Sequence, residues 1–560
     1  MERHRQLDTA CRAAITALIL LLSVRGMAQA PTAAADTHVR AQQDLHRGLA
    51  LASAGHWRQA GEALRAGQRL EPRNPRFPEE LAGVAYQQHQ YADATRNLRR
   101  ALALNPHDTY AADFLGTIDF LQGNLEAALQ AWNRAGKPVL SDATFRVQGL
   151  DPLILDRAFR FSPNTEWRLS QFRDTRAQLE SLNLFPAMRF DLLPQKDGTF
   201  VLKYQPLERP RGFSWHLETF ASLLRGLPYQ AVYPQFFNVN RQALNVRSYV
   251  RWDSQKRLAA AEIAGPLPSG PQRRARAYFD GRNENWNVGR TVTPGVAAAA
   301  GFNLERVTAG AAFTSITTWR WQWSAGAEYS WRRYRSVAGL PAGATSLFTN
   351  TQAITARGAG QVALIRSPQH RFLLNAAGAG QLGSFYTAPL GRYAQAQGTL
   401  YADWLPQASG QTYELQSTLR SGGTAGKVPL DDLYMLGFDR DNPLWMRGHN
   451  GLIGGRKGNA PLGANFILSN TDFDRSLFRN PFATLRVGPF LDMGQLSRAD
   501  GYFGSAGWLT DGGVQASVGA LGSFTYVIGY GRDFRSGANT VYTAVTGWPF
   551  HFTNAATALH

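Results

Sequence analysis

Cysteine is all but missing from this chain of 560 residues: the single one, Cys11, lies close to the amino terminus. A disulfide framework, a thiolate zinc site and a cysteine nucleophile are thereby excluded from everything beyond it. Long apolar runs are missing too. Leu18 to Leu22 is followed three residues later by Arg25, and no stretch approaches the ~20 residues that a membrane-spanning helix requires. Any residence in a membrane must therefore come through strands. Acidic residues are the minority, 41 against 59 Lys and Arg. H-E-x-x-H and G-x-S-x-G are absent, histidine shows no metal-ligand spacing, and no constellation supports catalysis. No enzyme, cofactor or metal is expected. What is plentiful is 54 Gly, 28 Pro and an aromatic set of 31 Phe, 19 Tyr and 14 Trp, enough apolar surface for several packed domains.

Arg3, Arg5 and Arg12 precede an apolar centre at 13–24, and small residues follow at Gly26, Ala28 and Ala30. A basic start, an apolar centre and an A-x-A-like exit read as a secretory signal peptide over 1–28. The remainder leaves the cytoplasm, so no nucleic-acid partner is expected. The basic group Arg96, Arg99 and Arg100 reads as solvated surface.

Residues 41–140 repeat at a period of 34. Gly48, Ala82 and Gly116 recur at that spacing, as do Trp57, Tyr91 and Leu125, then Ala60, Ala94 and Ala128, then Leu64, Leu98 and Trp132. Small residues let paired helices approach, bulky ones fill the gap, and Pro72 and Pro106 stop the second helix of a pair. The pattern resembles three tetratricopeptide (TPR) repeats. That resemblance implies an α-helical solenoid whose concave groove holds extended peptides or accessory proteins.

Over 144–210, Leu169, Phe172, Leu179 and Leu182 share one helical face. Pro186 ends that helix, Ala187 to Leu192 follows as a strand, and Asp197-Gly198 turns the chain into Phe200 to Tyr204. The order resembles the polypeptide-transport-associated (POTRA) module, a small α/β unit. Its exposed strand edge can pair with an extended client, and the resemblance places that edge on Val201, Lys203 and Tyr204.

From 211 to 552 the chain alternates. Between Trp319 and Trp331, Trp319, Trp321, Trp323, Tyr329 and Trp331 face one way while Arg320, Gln322, Ser324, Glu328 and Ser330 face the other. Strands with a polar second face, behind a leader and without a spanning helix, predict a transmembrane antiparallel β-barrel, apolar side to lipid and polar side to the lumen. At ~9–11 residues per strand the length suits about sixteen strands. Gly378 to Gly383 fits G-x-G-x-x-G but lies among strands, so a dinucleotide site is not expected.

Within this region Met446-Arg447-Gly448-His449 and Phe490-Leu491-Asp492-Met493-Gly494 resemble paired motifs of the POTRA-plus-barrel superfamily. That superfamily includes BamA, TamA, the two-partner secretion transporters and the bacterial surface antigen family. Its sixth extracellular loop folds into the lumen and carries V/I-R-G-F/Y, here ending in His. Alternation turns Phe490, Asp492 and Gly494 to the lumen. An Asp on a low-dielectric wall needs a partner, and Arg447 is expected to supply one, with Asp472 on the neighbouring strand. Trp548 and Phe550 resemble the aromatic terminal signal of such barrels.

The resemblance implies an outer-membrane protein with its amino-terminal domains in the periplasm, assembling or translocating polypeptides through a lid-gated barrel. A TPR-barrel exopolysaccharide exporter and a plugged structural or adsorption barrel are the alternatives.

Overall fold

The computed structural model describes residues 30–145, 147–209, 226–268, 270–288, 300–339, 344–407, 412–480, 483–497, 503–505, 507–520 and 524–546. The signal peptide and the terminal pair Trp548 and Phe550 lie outside them. The chain divides into two compact units, 1–138 and 139–560.

Among the described residues of the first unit six α-helices follow one another: α1 (Ala30–Ser53), α2 (Trp57–Leu70), α3 (Arg76–Gln87), α4 (Tyr91–Leu104), α5 (Thr109–Leu121) and α6 (Leu125–Trp132). Trp57, Tyr91 and Leu125 each open the second helix of a pair, so the 34-residue period is the period of the hairpins. Asp108 and Asn124 cap α5 and α6 by accepting from the Ala111 and Ala127 N–H groups. Glycine at two of the recurring positions is a steric demand. A Cβ on Gly48 would stand 2.6 Å from Leu64 Cγ, and one on Gly116 would stand 2.3 Å from Trp132 Cδ1.

The second unit opens with a four-stranded sheet: β1 (Val139–Phe145), β2 (Thr165–Glu166), β3 (Ala187–Pro194) and β4 (Phe200–Leu207), in the order β2-β1-β4-β3. Helices α7 (Pro152–Ala158) and α8 (Leu169–Ser181) accompany it. Leu140 and Val139 belong to this sheet rather than to the helical repeat. Gly198 at φ 82° makes the turn between β3 and β4 possible. The expected client edge is corrected here. Val201, Lys203 and Tyr204 lie on β4, which pairs with β1 on one side and β3 on the other, so they are interior to the sheet. The cause is β1, whose parallel pairing occupies the edge that β4 would otherwise expose. The long free edge belongs to β3.

Of the remaining strands, Tyr434–Met435 and Leu462–Gly463 pair only with each other, and the others close into a barrel. Fourteen of them, from Asn245–Trp252 to Asn539–Thr546, span eight to nineteen residues each. A further strand ahead of them is interrupted at Pro234: Ala231–Val232 and Gln235–Phe236 both pair with Asn245–Trp252. Outward residues are apolar and exposed, among them Trp321, Trp323, Tyr329, Leu400, Leu491 and Ile528, while inward Ser324, Glu328 and Ser330 are buried. A closed ladder with an apolar exterior is what a lipid environment demands. Among the described residues no helix is long and apolar enough to cross a membrane. Trp319 departs from its expected place on the lipid face. It precedes the strand Trp321–Ala338 and lies in a turn, with the Arg173 guanidinium 4.5 Å from its ring centre.

That turn is one of several through which the small sheet grips one end of the barrel. The Trp319 N–H donates to Asp174 Oδ1 at 2.6 Å, Asn245 Nδ2 to the Leu182 carbonyl at 2.9 Å, Asn238 Nδ2 to Gly149 at 2.8 Å, and the Asp151 N–H to Arg241 at 2.7 Å.

Gly116→Leu is expected to cost about 1–3 kcal/mol by overpacking against Trp132, lowering the helical thermal transition in far-UV circular dichroism. Gly83→Ala has nothing within 4 Å of the new Cβ and lies inside α3, so it should leave that transition unchanged or raise it.

Candidate functional site: a lid clamped inside the barrel

Strands Tyr413–Ala425 and Phe466–Arg479 pair directly with each other, which leaves residues 426–465 as a long connection at the end opposite the small sheet. This segment turns inward. Leu430, Leu433, Met435, Ala460 and Leu462 pack against barrel residues Trp286, Phe302, Leu304 and Tyr334. Leu436, Leu444 and Met446 pack against Phe466, Leu468, Leu496 and Leu509. It is a lid inserted into the lumen.

Arg447 sits at its centre. Nη2 donates to Asp492 Oδ1 at 2.5 Å and Nε to Oδ2 at 2.9 Å, a two-point pairing, and the Arg447 main-chain N–H also donates to Oδ2 at 2.9 Å. Nη1 donates to Asp472 Oδ1 at 2.5 Å and to Gln515 Oε1 at 3.0 Å. The guanidinium lies 3.8 Å from the Phe490 ring centre. Asp492 is fully buried and accepts one more bond, from Asn470 Nδ2 at 2.8 Å. Met446 and Gly494 are in contact: a Cβ on Gly494 would meet Leu436 Cδ1 at 2.8 Å and Met446 Sδ at 3.1 Å. Gly448 lies flat on the wall, its N–H donating to Asp511 Oδ2 at 2.6 Å and its carbonyl accepting from Thr540 Oγ1 at 3.0 Å. His449 follows, between Asp511 and Asp533. The structure thus brings together all four motif residues with Asp472, Phe490, Asp492 and Gly494. Val201, Lys203 and Tyr204 lie elsewhere, inside the small sheet.

Two further clamps have no counterpart in the motif. Asp431 and Asp432 both face Arg306 Nη1, at 2.9 and 3.0 Å, and Arg332 Nη1, at 3.0 and 2.7 Å. Asp439 meets Lys256 Nζ at 2.7 Å, while Asp441 meets the same Nζ at 3.1 Å and Arg251 Nη1 at 2.9 Å. In the sequence these carboxylates fall in a polar stretch with no motif of its own. They sit 99 to 190 residues from the wall cations they bind, so no local spacing reports them. The available signal was Arg251 on a lumen-facing position, a buried cation in need of an acid. Burial pushes the lid carboxyls up, but it is outweighed: Arg332 and Arg306 hold Asp431 below its ordinary 3.8, and Lys256 does the same for Asp439.

No known sequence family and no curated protein matches the chain. Among solved structures it is similar to CdiB from Escherichia coli, at 11% identity and a TM-score of 0.48, over 73% of this chain and 76% of that one. It is also similar to BamA from Haemophilus ducreyi lacking POTRA domains 1-3, at 11% identity and a TM-score of 0.42, over 73% and 84%. The first TPR of Spaghetti (RPAP3) bound to an HSP90 peptide matches 18% of this chain and 78% of its own at 24% identity, with a TM-score of 0.17.

Arg447→Ala strands Asp492 without a counter-charge, at about 3–5 kcal/mol, and should expose residues 426–465 to protease in reconstituted vesicles. Charge reversal of both partners would restore an isolated pair. Here the Arg447 N–H and the Asn470 amide also point at residue 492, so the double variant R447D/D492R should remain cleavable; protection at the wild-type level would contradict this geometry.

Because Asp431 and Asp439 are held below the ordinary carboxylate value, their contribution is complete above that value and is lost only as pH falls through the depressed one. Protection of the lid around Asp431 and Asp439 from protease in reconstituted vesicles should stay at its neutral-pH level down to about pH 4 and be lost only in stronger acid.

Proposed function

We propose that the chain is an outer-membrane protein of the POTRA-plus-barrel superfamily that inserts or secretes polypeptides. The observation that carries this reading is the lid Arg447 joined to Asp492 and Asp472 inside a closed barrel that holds a small α/β module at its other end. Lipid covers the exterior, and the helical repeats and the α/β module lie in the periplasm. Clients reach the chain as extended polypeptides in the groove of the repeats, then add to the free β3 edge of the module. They leave through the barrel once the lid yields. Burial of the client's apolar surface in lipid supplies the driving force without a nucleotide.

A polysaccharide exporter needs a lumen open to a hydrated chain. The inserted lid and the α/β module both favour a polypeptide instead. A permanently plugged adsorption barrel would have no use for a free strand edge on the module.

A photo-crosslinking residue at Leu193 on β3, and another at Val541 on the last described strand, discriminate among these readings; both positions are exposed. Protein adducts at Leu193 in growing cells are the expected result. Glycan adducts would transfer the chain to the exporters, and a bare Leu193 and Val541 would leave the plugged barrel.

A further inference from the structure

On four adjacent strands the outer face of the barrel changes character toward the end away from the small sheet. The strands are Lys256–Leu267, Gly270–Val288, Ala300–Ile316 and Trp321–Ala338. Register aligns their outward residues in rows. Ala261, Phe279, Ala309 and Tyr329 form one row, and Ala259, Gly281, Val307 and Trp331 the next. One step further the row reads Arg257, Asn283, Glu305 and Arg333. Beyond it stand Asn285, Asn303 and Arg335, with Gln255 accepting the Asn285 main-chain N–H.

This polar surface is ordered by its own hydrogen bonds. Asn303 Nδ2 donates to Asn283 Oδ1 at 2.6 Å and to Asn285 Oδ1 at 2.9 Å, and Asn285 Nδ2 donates to Gln255 Oε1 at 3.1 Å. Arg456, on the lid hairpin, donates to the same Oε1 at 3.2 Å. Glu305 is the only carboxylate in the two polar rows, and Arg335 takes it at 2.8 Å. Arg257 and Arg333 are both exposed and are left without an ion-pair partner among the described residues. Their strands are three steps apart, about 14 Å at the usual strand spacing. Directly below them Phe279 and Tyr329 are exposed, an aromatic boundary of the kind that marks the headgroup level.

We propose that this face binds a phosphorylated glycolipid of the outer leaflet, its phosphates on Arg257 and Arg333 and its acyl chains on Phe279, Val307 and Tyr329. The inference rests on the outer-membrane reading, which sets this end of the barrel at the cell surface. A guanidinium fork suits phosphate oxygens, and the amide rows beside it suit sugar hydroxyls. Free phosphate gains little from exposed arginines in water. A headgroup anchored by its own chains gains more, because it is already concentrated at that depth. Arg456 and Gln255 carry the same surface to the lid.

Purified full-length protein in detergent, titrated with bisphosphorylated lipid A, should retain it in native mass spectra at least fivefold more than the fully dephosphorylated lipid. The double variant R257S/R333S should retain lipid A at least fivefold less than wild type, with heat-modifiable migration on gels reporting a folded barrel. Arg273→Ser, exposed on the same strand as Asn283 but at the small-sheet end, should match wild type. Millimolar inorganic phosphate should not displace the lipid; displacement would assign the arginines to free phosphate instead. Equal retention by wild type and R257S/R333S, or equal retention of the dephosphorylated lipid, would overturn the site. Density-gradient fractionation of cells separates the two levels: chain found outside the outer membrane overturns the reading beneath, whereas chain in the outer membrane with an indifferent R257S/R333S overturns this site alone.

Discussion

The arrangement on which the rest depends is an inversion of charge across the lumen. Toward the lid one side of the wall presents Arg251, Lys256, Arg306 and Arg332, among carboxylates such as Asp280 and Glu328 that other wall arginines pair, and the other side presents Asp472, Asp492, Asp511 and Asp533. The lid answers with Asp431, Asp432, Asp439 and Asp441 on the first side and with Arg447 and His449 on the second. Buried charges are tolerated only when paired, since removal from water costs several kcal/mol per ion. Each of these pairings favours the direction in which the lid lies.

The same constraint governs the lid's backbone. Irregular chain at membrane depth survives only where protein satisfies its polar groups. Asn442 serves that need from within the lid, its amide reaching the Met435, Gly437 and Leu444 carbonyls at 2.9, 2.8 and 3.1 Å. Trp445 Nε1 donates to the Asp439 carbonyl at 3.0 Å, and Arg420 from the wall donates to Pro443 at 2.8 Å. Packing then fills what remains: Phe438 meets Trp445, Phe490 and Tyr542 in one aromatic group. The lid is a folded element in its own right, with charges on its surface and a small apolar interior shared with the wall.

How much of this could be read from sequence follows the range of the interactions. The helical hairpins were legible because their period is local: Trp57, Tyr91 and Leu125 open equivalent helices. The barrel was legible because alternation is a two-residue rule, visible wherever a strand such as Trp321–Ala338 keeps one face dry. Arg447 and Asp492 could be paired because each sits in a short motif. The β4 edge was misplaced because a parallel partner, β1, lies some sixty residues earlier and leaves no mark on the strand it covers. Lys256 with Asp439, and His449 with Asp511, stayed hidden for the same reason. Their partners are 183 and 62 residues apart, and only closure of the cylinder brings them together.

The lid tip touches the end of the chain's last described strand. Thr540 holds the Gly448 carbonyl, Tyr542 packs on Phe438, and the Arg447 carbonyl lies so close to Gly531 that a methyl there would stand 2.5 Å away. Plug and closing strand therefore share one latch. Whatever free energy is gained by withdrawing the plug when that strand peels from its neighbour is, by linkage, the free energy by which a withdrawn plug eases the peeling. Any motion of the plug along the axis of the cylinder and any parting of that strand around its circumference are therefore linked through these contacts.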